Sequence, residues 1–111
     1  MTFHAVCDLD DVWEGEVTEL EVEGHEILIV HQLGGEVIAF QALCPHQDIP
    51  LSEGTFEKGV LTCRAHLWQF DSRSGAGINP SDCHLARYPV KVEDNKVLVS
   101  VDGIVPVRVG S

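Results

Sequence analysis

The sequence predicts an all-β domain. Short runs rich in Val, Ile and Phe recur along the chain, and glycine-containing turns separate them at hairpin spacing. A single stretch, "DLDDVW" (Asp8–Trp13), hints at a helical turn, with Asp8 as N-cap and Asp11 three residues on. In order, Glu16–Val22, Glu26–His31 and Glu36–Ala42 read as a meander, divided by Gly24 and by Gly34-Gly35. Val60–Cys63, Leu67–Phe70, Val90–Val92 and Val97–Val101 continue it, and Glu93–Lys96 ("EDNK") is the turn between the last two. Many short strands with frequent turns predict a small sandwich or barrel.

At 111 residues the chain is expected to form one domain, 1–111, with no need of disulfides. Apolar residues make up 44%, too many for a disordered chain. The net charge of −11 argues against nucleic acid and anionic membrane surfaces, which attract basic faces. Half of the acids fall between Asp8 and Glu26, where there is no Lys or Arg. That stretch is either a solvated edge or a docking face for a basic partner. No segment approaches the roughly 20 apolar residues of a membrane span. The start "MTFHAVCDLDD" lacks the basic and apolar regions of an export signal, which predicts a cytoplasmic location. There, Cys7, Cys44, Cys63 and Cys83 are better read as ligands or buried thiols than as disulfides.

Two stretches interrupt the strands. Leu43–Gly59 carries Pro45, Pro50 and Gly54, and Asp71–Pro89 carries Gly75, Gly77, Pro80 and Pro89. Loops of this length inside a compact domain are usually functional. The first contains Cys44-Pro45-His46, and sixteen residues separate His46 from Cys63-Arg64-Ala65-His66. Two thiolates and two imidazoles in this arrangement are the ligand set of a [2Fe–2S] centre in which two His replace two Cys on one iron. A tetrahedral zinc is the rival, although its usual spacings are longer and do not mix Cys with His in each half. Four thiolates around an oxidised cluster leave a doubly negative site, whereas two thiolates and two neutral imidazoles leave it neutral. An added electron then costs less. The potential rises from about −400 mV into a window of about −150 to +300 mV.

The strings "CPHQ" and "CRAHLWQFD" resemble the double motif of Rieske proteins, and "GINPSDCHLARYPV" resembles the proline-containing covering loop and following strand of that family. The likeness runs from "CDLDDVWEGE" to the C-terminal strands. "CPHQDIPLSEG", "GVLTCRAHLWQFD" and "GINPSDC" are most similar to the ferredoxins of multicomponent, toluene-type aromatic monooxygenases. The resemblance implies an antiparallel β-sandwich base with a small inserted cluster-binding subdomain, about 43–88. It implies that Cys44 and Cys63 hold a buried iron and that His46 and His66 hold an outer one.

Gln47, Leu67, Trp68 and Pro80 are the candidates for lining the cluster or for docking. Trp68 is better read as core shielding the sulfurs than as a docking collar. Membrane-bound relatives carry an extra Cys in each loop, where this chain has Ile49 and Ala65, so no bridge is expected. They also carry hydroxyls two and four residues after the second His. Trp68 and Phe70 stand there, which predicts a potential at the low end of the range. Many relatives have Gly where this chain has Leu67.

The implied function is a one-electron carrier, a monomer when free, with no substrate of its own. Electrons would come from an NADH-dependent flavin and iron–sulfur reductase and pass to a di-iron hydroxylase. A ferredoxin of a ring-hydroxylating dioxygenase and an effector-like oxygenase subunit are the alternatives. Cys7 and Cys83 are expected to be inert buried thiols. His4, His25 and His31 are expected to be surface or hydrogen-bonded residues.

Overall fold

The computed structural model describes residues 2–45, 49–64, 67–79, 81 and 83–108. Among the described residues, eleven strands form three antiparallel sheets: β1 (His4–Asp8), β2 (Val17–Val22), β3 (His25–His31), β4 (Val37–Gln41), β5 (Thr55–Glu57), β6 (Val60–Thr62), β7 (Gln69–Asp71), β8 (Gly77–Asn79), β9 (Arg87–Tyr88), β10 (Val90–Glu93) and β11 (Lys96–Val99). The sheet orders are β1-β11-β10, β2-β3-β4-β9 and β5-β6-β7-β8. Short 3-10 turns occupy Leu9–Asp11 and Leu51–Glu53. The first matches the expected turn, and the Asp8 amide donates to Asp11 Oδ2 at 3.0 Å.

The second sheet is central, and its apolar runs show why. Successive side chains of a strand face opposite sides. Ile27, Ile29, Val37 and Ala39 pack with Tyr88, Val97 and Val99 against the first sheet. Leu28, Val30, Ile38 and Phe40 pack on the other side with Leu51, Leu61, Phe70 and Leu85. A strand buried on both faces reads as continuous apolar sequence, which is what "ILIV" and "VIAF" are. The first two sheets make the sandwich base. The third lies between β4 and β9 in the chain, although those two strands pair directly through Ala39↔Tyr88 and Phe40↔Arg87.

Turn chemistry sets the registers. Val22↔His25, Glu57↔Val60 and Glu93↔Lys96 each close a two-residue turn. All six central residues, Glu23, Gly24, Lys58, Gly59, Asp94 and Asn95, have φ between +50° and +81°. That is the type I′ pattern, whose twist matches the flanking strands.

Three sequence expectations change. The stretches Leu43–Gly59 and Asp71–Pro89 are not wholly loop, since they contain β5, β8, β9 and the second 3-10 turn. The strand expected from Leu67 starts at Gln69, because Leu67 has φ +55°, outside the extended region. β1 was not anticipated; its apolar alternation is weak and it forms by pairing with β11 at the far end of the sequence.

A pair of matched loops as the candidate metal centre

Two loops, one rising from an isolated bridge and the other from the β6–β7 pair, share the same construction. Leu43 bridges Pro50, and the Cys44 amide donates to Ile49 O at 3.0 Å. Thr62 pairs with Gln69, and the Cys63 amide donates to Trp68 O at 2.8 Å. Each loop therefore opens with a cysteine and closes on the carbonyl five residues later. In sequence, His46 stands two residues after its Cys and His66 three after its own.

Both thiols are buried and outside any disulfide, and both belong to one apolar cluster with Leu51, Leu61, Phe70 and Leu85. His46, His66, Gln47 and Pro80 lie outside the described residues. Of the four proposed ligands the structure thus describes two, both within the same buried cluster. Trp68 and Ile49 pack partly buried against the same cluster, whereas Leu67 is 66% exposed. Cys83 joins the cluster as a third buried thiol, whereas its neighbour His84 is exposed, so the two side chains do not form a pair.

The other histidines have partners of their own. His31 Nδ1 donates to Val12 O at 2.8 Å, and His25 Nδ1 lies 3.0 Å from the Tyr88 hydroxyl. His4 approaches Glu23 at 4.0 Å. Cys7 has its thiol pushed up, chiefly by burial and then by the charges of Asp11 and Asp8, which keeps it protonated and unreactive.

Residues that motif reading passed over hold the loops in place. Buried Gln41 donates through Nε2 to Leu43 O at 2.8 Å and to Val107 O at 2.9 Å. Its Oε1 accepts from the Ala86 and Val107 amides, both at 2.8 Å. One side chain thus ties the start of the first loop to the C-terminal segment and to the approach to β9. Beside it, a cavity of about 270 Å³ is lined by Glu21, His25, Glu26, Gln41, Cys44 and Val107. The second 3-10 turn links the loops: the Leu51 amide donates to Ala42 O at 2.8 Å, and Glu53 pairs with Arg64 at 2.6 Å. These partners are distant in sequence and carry no motif. A polar Gln at the end of an otherwise apolar strand was the available signal for Gln41.

The acidic stretch runs from the end of β1 through the first 3-10 turn and the edge strand β2 into β3, where Glu21 of β2 sits directly opposite Glu26. Like charges facing each other across a strand pair weaken it and keep other chains from adding to the edge.

The sequence pattern of the Rieske [2Fe-2S] domain matches residues 2–89. The chain belongs to the Rieske family. The ferredoxin component of the alkene monooxygenase system of Xanthobacter autotrophicus is 44% identical over 99 residues, 87% of this chain and 80% of that one. The ferredoxin component of biphenyl 2,3-dioxygenase from Rhodococcus jostii is 38% identical over 104 residues, 93% and 96% of the two chains. Among solved structures, the ferredoxin of carbazole 1,9a-dioxygenase from Nocardioides aromaticivorans superposes with a TM-score of 0.80 at 31% identity, covering 90% of this chain and 98% of that one. This Rieske protein has one [2Fe–2S] cluster as its cofactor and carries one electron at a time. Its two buried, unbridged thiols at the heads of matched loops are chemically suited to that group, because thiolates are the iron ligands of such clusters.

Proposed function

We propose that this chain is the ferredoxin component of a hydrocarbon-oxidising system and performs no catalysis itself. Cys44 and Cys63 hold the inner iron, and His46 and His66 hold the outer one, within a cluster-binding subdomain of about residues 43–88. The observation that carries this reading is the pair of matched loops, each placing a cysteine in the same apolar cluster. When bound, the cluster supplies reversible one-electron exchange. The protein's own contributions are apolar burial of the thiolates by Leu51, Leu61 and Phe70, and loop anchoring by Gln41.

The electron donor is an NADH-dependent flavin and iron–sulfur reductase, and the acceptor is a di-iron hydroxylase. The negative charge of the chain suits brief encounters with basic partner surfaces. A cytoplasmic setting agrees with this role; among the described residues no helix is long and apolar enough to cross a membrane. The resemblance points to an aromatic substrate, and the name of the Xanthobacter relative adds alkenes. The likeness to the biphenyl dioxygenase ferredoxin favours a second reading, in which the acceptor is a ring-hydroxylating dioxygenase.

Purified protein is expected to contain about two iron and two sulfide per chain and to show a Rieske-type EPR signal on reduction. Zinc alone would refute the reading. Rapid mixing of the reduced protein with a di-iron hydroxylase and with a dioxygenase separates the two acceptors by which one oxidises it.

A further inference from the structure

We propose that Gly54 is a positioning residue for the Cys63 loop, and that its missing side chain lets the second 3-10 turn press against the backbone on both sides of Cys63. This assignment rests on the reading of Cys63 as a cluster ligand. A Cβ built on Gly54 would lie 1.8 Å from Thr62 O, 2.9 Å from Thr62 C and 3.2 Å from the Arg64 amide nitrogen. The obstructing atoms are backbone atoms flanking Cys63, so no side-chain rotation relieves the overlap. The position requires glycine because of the space available.

The surroundings give the close approach a purpose. The Gly54 amide donates to Leu51 O at 3.0 Å, closing the turn. Leu51 is buried in the cluster that contains Cys44 and Cys63. Next to Gly54, Glu53 grips Arg64 from the other side of Cys63 at 2.6 Å, and Ser52 Oγ donates to Glu19 Oε1 on β2 at 3.0 Å. The turn therefore leads directly out of the first loop, is fastened to the base, and clamps the second loop at Thr62 and Arg64. It sets how far apart the two thiols sit. Potentials of iron–sulfur centres depend on hydrogen bonds to the sulfurs and on solvent exposure. Displacing the Thr62–Arg64 backbone changes both at Cys63.

Gly54→Ala tests this in the intact, cluster-loaded protein, with Gly24→Ala as the control. Gly24 lies in the β2–β3 turn at φ +81°, and a Cβ there meets nothing within 4 Å, so this substitution adds strain without a contact on the Cys63 loop. Gly54→Ala is expected to keep the β-sheet circular dichroism and to displace the EPR g-values. Its one-electron reduction equilibrium should move downward by about tenfold, or about 59 mV. Gly24→Ala should keep the wild-type g-values and potential. A folded Gly54→Ala chain that holds less iron than wild type supports the assignment equally. Wild-type g-values and potential in Gly54→Ala overturn it. So does loss of the sheet signal, which would make Gly54 a determinant of the fold. Wild-type protein without an iron–sulfur signal would refute the proposed function instead, so the two failures are distinct.

Discussion

Cys44 and Cys63 open loops that close with the same hydrogen bond, yet the two loops are held by opposite means. The first hangs from a buried side-chain amide, since Gln41 fixes Leu43 and spends its remaining hydrogen bonds on Val107 and Ala86. The second is held from outside, by the backbone of Gly54 and the ion pair of Glu53 with Arg64. The first contains Pro45 and Pro50, which restrict the chain before any tertiary contact forms. The second contains Leu67 at φ +55° with its side chain in solvent, a strained conformation for a branched residue. One loop is anchored inward and the other is clamped and partly strained. Equivalent local geometry thus does not imply equivalent sensitivity to mutation.

The largest effect should come from the thiols themselves. Replacing Cys44 or Cys63 by Ala is expected to reduce iron from about two per chain to near zero. Replacing Cys83, buried in the same cluster, should leave iron unchanged. Iron assay and visible absorption decide this, and iron loss in the Cys83 variant would mean that burial rather than ligation controls the site. Next, Gln41→Ala strands carbonyls and amides of three segments and should cost about 2–4 kcal/mol in urea unfolding. A loss well below that would remove the internal anchor from the comparison.

Smaller and of opposite sign is Leu67→Gly. The left-handed conformation costs a non-glycine residue about 1 kcal/mol, and the exposed leucine has little burial to lose. This variant should raise the melting temperature slightly, and an unchanged or lower one would show that the loop gains nothing from relief of the strain.

The smallest effect belongs to the base. Burial pushes the Tyr88 phenol up. Above about pH 10 the unfolded chain gives up this proton more readily than the folded one, so stability declines as pH rises. Tyr88→Phe should make the decline between about pH 9 and pH 11 shallower, as measured by urea unfolding. An identical slope would show that Tyr88 does not contribute to it.

Much of the base was legible in the sequence because its strands are neighbours joined by short turns. The β2–β3–β4 meander and the β10–β11 hairpin lie within a residue or two of where apolar runs and turn residues put them. Of the strands that escaped notice, β5, β8 and β9 have only two or three residues, and β1 and β9 pair with partners remote in the chain. Their formation depends on a sheet edge that already exists, and that edge leaves no mark in local composition.

The sequence alone determined the chemistry. Two Cys and two His at this spacing predict a mixed-ligand [2Fe–2S] site, and the Rieske family match supports the cluster itself. The absence of hydroxyls at Trp68 and Phe70 was equally plain. The tertiary structure decided how the two loops are held. Gln41 acts on Val107 and Gly54 acts on Thr62, and such contacts exist only after the central sheet has brought these segments together. A glutamine at the end of a strand and a glycine in a loop look ordinary until their neighbours are known. Their roles come from close packing, which is a property of the folded chain and not of any segment of it.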